Sequence, residues 1–377
     1  MMKVLVAFGT RPEAIKMAPL VLELRKSPRI DLKVCVTGQH RDMLDQVLSV
    51  FDVIPDYDLN IMKANQNLSD ITCEIIKGMD QIYSRYNPDW VLVHGDTATT
   101  LAVSLSSYFR KIKVAHVEAG LRTGNIYSPW PEEANRQVVT RLSHLHFAPT
   151  ESAKNNLLLE GVDCKSIYVT GNTVIDSLLA ASKKIDNDEF LSKTLSDKFN
   201  YLNDGKKLIL VTGHRRENFG GGFESICNAL KRIASSCDVE IIYPVHLNPN
   251  VKEPVNKILA NIPNVFLIPP QDYIPFIYLM KKSYIILTDS GGIQEEAPTL
   301  GKPVLVMRNT TERPEALESG TVKLIGNNED HIVKETLMLL ESKRDYERMT
   351  GLSNPYGDGM SSVIMRKIME DLSVDRA

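Results

Sequence analysis

Short apolar runs alternate with amphipathic segments along almost the whole chain. Val4-Leu5-Val6-Ala7, Lys33-Val34-Cys35-Val36, Trp90-Val91-Leu92-Val93, Val114-Ala115-His116-Val117, Leu145-His146-Phe147-Ala148 and Ile167-Tyr168-Val169 form a first series. A polar stretch near Lys183 to Lys207 interrupts the rhythm, which resumes with Leu208-Ile209-Leu210-Val211, Glu240-Ile241-Ile242-Tyr243, Val265-Phe266-Leu267-Ile268, Tyr284-Ile285-Ile286-Leu287 and Pro303-Val304-Leu305-Val306. Runs this short and this apolar read as strands covered on both faces, the condition of a parallel sheet between helices. Two series in succession predict an α/β protein made of two Rossmann-like, doubly wound halves. A chain of 377 residues exceeds one ordinary core and suits two domains.

Composition removes several classes. Hydrophobic residues at 43% and charged residues at 24% describe an ordinary globular chain rather than a disordered or fibrous one. A net charge of −3 without a basic stripe argues against nucleic-acid binding. Cys35, Cys73, Cys164, Cys227 and Cys237 form an odd set without a C-x-x-C pair, which points to a reducing compartment and to no zinc ribbon. The apolar start meets Arg11 and Pro12 too early for a signal peptide, and no stretch approaches the roughly 20 apolar residues of a membrane span, so a cytoplasmic protein without membrane or metal is expected.

In doubly wound sheets, ligands bind beyond the carboxyl ends of the strands, so the residues after each run carry the functional signal. In order they are Gly9 to Lys16, Gln39 to Arg41, His94-Gly95-Asp96-Thr97, Glu118 to Arg122, Gly213 to Asn218, His246, Gln271 and Ser290 to Glu296. Two of these loops, after Val4 to Ala7 and after Tyr284 to Leu287, precede helix-like patterns. There the unpaired amides and dipole of a helix start are expected to hold phosphate. The dinucleotide fingerprint G-x-G-x-x-G is absent after the first strand, as is a phosphate loop ending in Gly-Lys-Ser/Thr. His144 and His146 supply no third metal ligand nearby, and His94 and His116 either orient carboxylates or pack. Asp96, Glu118, Glu132 and Glu133 concentrate in the first half, whereas Arg11, His214, Arg215, Arg216 and Arg313 are spread over both, suggesting acid/base work beside anion binding.

Gly9-Thr10-Arg11-Pro12-Glu13-Ala14-Ile15-Lys16, His94-Gly95-Asp96-Thr97, His116 to Arg122, Pro129 to Arg136, Gly213-His214-Arg215-Arg216-Glu217-Asn218, Asp289 to Pro298, Thr311 to Glu315 and Asn354 to Gly359 together resemble the bacterial non-hydrolysing UDP-N-acetylglucosamine 2-epimerases. The resemblance spans nearly the whole chain. It implies a GT-B-like fold, with two Rossmann-like domains facing a central cleft and a C-terminal helix returning to the first. On this basis the domains are residues 1–170 with about 364–377, and residues 171–363. It also implies a homodimer, no cofactor, and UDP-N-acetylglucosamine and UDP-N-acetylmannosamine as ligands in surface polysaccharide synthesis.

The implied reaction inverts carbon 2, whose proton has little acidity because no carbonyl adjoins it. Either carbon 3 is oxidised by a nicotinamide, or UDP leaves carbon 1 to give 2-acetamidoglucal and then adds back. The missing fingerprint favours elimination. The resemblance then assigns Arg11, His214 and Ser290-Gly291-Gly292 to the departing diphosphate, Arg215 more weakly, and Asp96, Glu118 and Glu132 to proton transfer. Spacing assigns neither sugar face to a particular carboxylate. Lys16 and Arg136 are further active-site residues by resemblance, Arg136 lying at i+4 from Glu132 on one helix face. Glu296 is implied as ribose ligand, Gln271 and Phe276 as uracil neighbours, and Arg313 as a nucleotide contact. Gln39, His40, Arg215 and His246 fall where some members bind a second, activating sugar nucleotide, although Asp42 stands where certain members have glutamine. A hydrolysing epimerase, a GT-B glycosyltransferase and a non-catalytic sensor are the rival readings.

Overall fold

The computed structural model describes residues 1–38, 41–63 and 66–374, apart from the side chains of Arg41 and Asp42. The chain divides into two compact units, Met1–Ser177 with Tyr356–Ala377, and Leu178–Pro355. Among the described residues, no helix is long and apolar enough to cross a membrane.

The first unit carries β1 (Met2–Phe8), β2 (Ile30–Val36), β3 (Tyr57–Asp58), β4 (Trp90–His94), β5 (Lys113–Val117), β6 (Leu145–Ala148) and β7 (Ile167–Val169). They form one parallel sheet in the order β3-β2-β1-β4-β5-β6-β7. The second unit carries β8 (Lys207–Thr212), β9 (Val239–Pro244), β10 (Val265–Ile268), β11 (Ile285–Thr288), β12 (Val304–Val306) and β13 (Val322–Leu324), parallel in the order β10-β9-β8-β11-β12-β13. Each sheet therefore reverses its winding once, between β1 and β4 and between β8 and β11, and a crevice opens at each reversal.

The apolar runs become strands because helices cover both faces of each sheet. Val4 to Phe8, Val91 to Val93, Ile209 to Val211 and Ile285 to Leu287 are fully buried. On one face of the first sheet Leu5, Val91, Val93 and Val114 pack with Ile75, Met79 and Val139. In the second, Ile209, Ile241 and Ile285 pack with Phe223, Ile226 and Leu230. The polar stretch near Lys183 to Lys207 contains helical rather than irregular chain: Thr173–Asn187 and Glu189–Lys198 are helices, the second capped by Asp188 accepting from Leu191 N–H at 2.9 Å. Within the stretch these helices bury Ile185 and Leu195 and expose most other side chains, which leaves it polar in composition.

A tight backbone crossing secures the loop after β5. Gly120 has φ +92°, and a Cβ there would stand 2.2 Å from the carbonyl oxygen of Ala153, which is helical backbone and cannot yield. Gly120→Ala is expected to destabilise the first unit by about 2–4 kcal/mol through strain and overlap combined. Chemical denaturation followed by circular dichroism checks this, and a midpoint equal to that of the parent protein would contradict the crossing.

Candidate active site

The loop after β1 leads into the Arg11–Leu24 helix, which caps itself. Thr10 and Glu13 form a reciprocal capping box. Glu13 Oε2 accepts from Gly9 N–H (3.0 Å) and Thr10 N–H (2.8 Å), while Oε1 accepts from the Thr97 hydroxyl (2.7 Å) and the Thr100 hydroxyl (3.3 Å). Burial pushes this carboxyl above its ordinary value, and these bonds oppose the shift. At this junction the protein's own carboxylate takes the Gly9 and Thr10 amides, which precede the helix. Arg11, partly exposed, begins the helix, and Lys16 follows one turn later.

Lys16 pairs with Glu118 Oε2, to which Asn172 Nδ2 also donates at 3.2 Å. Glu118 itself sits at φ +64°, a left-handed conformation that side chains seldom adopt and that local packing must enforce. Asp96 Oδ2 accepts from Arg136 Nη2 at 2.6 Å, and the Asp96 carbonyl accepts from Asn135 Nδ2 at 2.8 Å, so the Glu132–Leu142 helix fixes the loop after β4. Burial raises the Asp96 carboxyl; Arg136 opposes this, Glu118 reinforces it, Lys16 opposes it, and Glu132 reinforces it. Lys16, Asp96, Glu118, Glu132 and Arg136 therefore form one electrostatically coupled group.

Arg136 and Glu132 share the Glu132–Leu142 helix, and the guanidinium is held by other carboxylates. Arg136 Nη1 lies 3.4 Å from Glu133 Oε2, and its other amine serves Asp96. Glu133 is turned inward and accepts from Thr123 N–H at 3.1 Å, Gly124 N–H at 3.2 Å and Gln137 Nε2 at 2.9 Å. His94 and His116 are fully buried, and burial lowers both imidazoles to about 4, so they are neutral at pH 7. His94 Nε2 lies 3.9 Å from Glu118 Oε2, whereas His116 Nε2 meets the carbonyl of Gly95 at 2.7 Å.

The second unit is organised by Asp289, fully buried after β11. Its carboxylate accepts from His214 N–H (2.9 Å) and Arg215 N–H (2.8 Å), which pins the loop after β8. His214 Nδ1 lies 3.4 Å from Asp289 Oδ1, and its ring stacks on His246 with centroids 5.7 Å apart. Burial lowers the His214 imidazole; Asp289 opposes that shift and Arg215 reinforces it.

Beside this loop the short Gly291–Glu296 helix begins at Ser290, whose side chain makes no cap bond, unlike the Thr10–Glu13 junction. The guanidinium groups of Arg215 and Arg313 lie 3.7 and 3.9 Å from the point where a Cβ on Gly291 would stand. Arg313 is steadied by Glu295, and Arg215 Nε is buried without a hydrogen-bond partner among the described residues. Arg308, almost fully buried, bonds Glu217 (Nε to Oε1, 2.5 Å) and Glu312 (Nη1 to Oε2, 2.7 Å), tying the Thr311 to Glu315 loop to the loop after β8. Gln271 Nε2 donates to the carbonyl of Pro269 at 2.6 Å, and its Oε1 is buried without a partner among the described residues. Phe276 is partly buried on the Tyr273–Lys282 helix, and Glu296 ends the short helix. Gln39 and His40 lie outside the described residues.

Four structural anchors had no assigned role in the sequence reading. Glu13 carries a local signal, the T-x-x-E capping box. Asp289 and Asn172 carry none, because their partners lie 74 and 54 residues away; Arg308 has Glu312 at i+4 outside any helix, and its other partner, Glu217, lies 91 residues away.

The family model for UDP-N-acetylglucosamine 2-epimerase matches residues 22–370. The UDP-N-acetylglucosamine 2-epimerase of Salmonella typhimurium is 59% identical over 361 residues, covering 96% of each chain, and that of Escherichia coli is 56% identical over 376 residues, covering 100% of this chain and 99% of its own. The solved UDP-GlcNAc 2-epimerase of Neisseria meningitidis, bound to UDP-GlcNAc, superposes with a TM-score of 0.89 at 53% identity, covering 98% of this chain and 99% of its own. With matches of this extent along the loops just described, the chain belongs to the UDP-N-acetylglucosamine 2-epimerase family.

Proposed function

We propose that this enzyme interconverts UDP-N-acetylglucosamine and UDP-N-acetylmannosamine by eliminating UDP and adding it back, with proton transfer assigned to the first unit and nucleotide binding to the second. The observation that carries the proposal is the coupled group of Lys16, Asp96, Glu118, Glu132 and Arg136. It combines carboxylates of differing environment with cations that hold them in place, as transfer to and from two sugar faces requires.

In the forward direction a carboxylate takes the proton from carbon 2. The electron pair of that bond forms the carbon 1–carbon 2 double bond, and the carbon 1–oxygen pair departs with UDP. A carboxylic acid then protonates carbon 2 on the opposite face as UDP rejoins carbon 1. Charge grows on the β-phosphate, and the second unit supplies donors for it: the uncapped helix start at Ser290 to Gly292, with Arg215 and Arg313 above Gly291. His214, steadied by Asp289 at Nδ1, presents its other nitrogen to the departing group. The buried, unpartnered Gln271 Oε1 is an acceptor suited to the uracil N–H, with Phe276 beside the base and Glu296 on the ribose hydroxyls. Arg11 completes the cationic set in the first unit.

In the first unit the amides of Gly9 and Thr10 already serve Glu13, so a dinucleotide pyrophosphate bound there would have to displace that carboxylate.

Turnover of UDP-N-acetylglucosamine in deuterated water should install deuterium at carbon 2 of both sugar nucleotides, read by proton NMR. Retained protium would reject the mechanism, and release of free N-acetylmannosamine would favour a hydrolysing enzyme. Asp96→Asn, Glu118→Gln and His214→Ala should each lower kcat by about 100-fold or more while the thermal transition persists. Near-parental turnover in all three would remove the site assignment.

A further inference from the structure

Asn172 is 4% exposed and follows β7 at the start of the Thr173–Asn187 helix. Its backbone N–H donates to the Tyr356 carbonyl at 2.8 Å, and its Oδ1 accepts from Val174 N–H at 3.1 Å. Because Val174 N–H can only donate, the amide cannot flip, and Nδ2 is committed to Glu118 Oε2 at 3.2 Å. The Lys16 ammonium donates to that same oxygen. Neither donor can accept, so a proton carried by Glu118 belongs on Oε1. That oxygen lies toward Gly95, at φ +65°, where a Cβ would stand 3.5 Å from it.

We propose that Asn172 is a positioning residue that reserves Oε2 of Glu118 as a permanent acceptor, so that the proton exchanged with carbon 2 of the sugar is carried on Oε1. The inference rests on Glu118 being a proton-transfer partner. On the face that Glu118 serves, the carbon 2–hydrogen pair becomes the carbon 1–carbon 2 double bond, the carbon 1–oxygen pair leaves with UDP, and the proton bonds to Oε1; re-addition reverses each step. The charged and titratable groups facing Glu118 include Lys16 from the first helix, His94 from β4, His116 from β5 and Asp96 from the loop after β4, the last of these paired with Arg136.

Asn172→Asp separates positioning from helix capping. Aspartate keeps an acceptor for Val174 N–H and starts helices as well as asparagine, but it loses the donor and sets a second carboxylate against Oε2. The expected result is a thermal transition close to the parent's, KM little changed, kcat at neutral pH reduced roughly 30-fold, and the acid limb of the kcat–pH profile raised by about one unit. Asn172→Ser caps equally but is too short to reach Glu118, so it should move the limb in the same direction by less, and it decides the matter if the aspartate variant does not fold. An acid limb left where it is in the folded variants overturns the proposal, whether or not kcat falls, because loss of a purely structural contact would not retune Glu118. Glu118→Gln is measured alongside. If it retains turnover, the reading of Glu118 itself fails; if it is inactive while the Asn172 variants keep the parental profile, the Asn172 inference alone fails.

Discussion

Each half of this enzyme depends on a buried carboxylate placed at the point where its sheet reverses direction. The loops after β1 and β4, and after β8 and β11, splay apart there and expose backbone N–H groups that no strand can satisfy. Glu13 bridges the first pair of loops, taking two amides from one side and two hydroxyls from the other. Asp289 bridges the second pair, taking the His214 and Arg215 amides. Hydrogen bonds to a charged acceptor are worth about 1.5–3 kcal/mol each, so either clamp can hold its crevice in one geometry against the entropy of two loops.

The two clamps differ in where the carboxylate originates, and that difference divides the labour. Glu13 comes from the first turn of its helix and folds back onto the Gly9 and Thr10 amides just before that helix. Asp289 instead precedes its helix and reaches back to the other loop, so the start at Ser290 to Gly292 is left without a side-chain cap beneath Arg215 and Arg313. In the first unit the carboxylates of Glu118 and Asp96 are instead paired with Lys16 and Arg136. Arg308, held between Glu217 and Glu312, keeps the two guanidinium-bearing loops in register.

Much of this was legible from residue order. Leu145–Ala148, Ile167–Val169 and Val265–Ile268 are strands with the very limits that their apolar runs suggest. Two edge strands escaped notice: Tyr57–Asp58 and Val322–Leu324 are two and three residues long, and a polar side chain breaks each run. In the site, the loops themselves announced the residue types, but not who holds whom. The i,i+4 rule pointed Arg136 toward Glu132, whereas Glu133 at i+3 and Asp96, 40 residues away, compete better for its guanidinium. Lys16 and Glu118 lie 102 residues apart, and no local pattern pairs them. Long-range pairing in a parallel sheet is set by strand order, which only the packed structure displays.

The central claim is that the bond between carbon 1 and its oxygen breaks during inversion of carbon 2. Positional isotope exchange tests it most directly, using UDP-N-acetylglucosamine labelled with oxygen-18 in the bridge between the sugar and the β-phosphate. As epimerisation proceeds the label should spread into the non-bridging β-phosphate oxygens, because the freed phosphate rotates before rejoining. A label that stays in the bridge through many turnovers, while carbon 2 inverts, would contradict it.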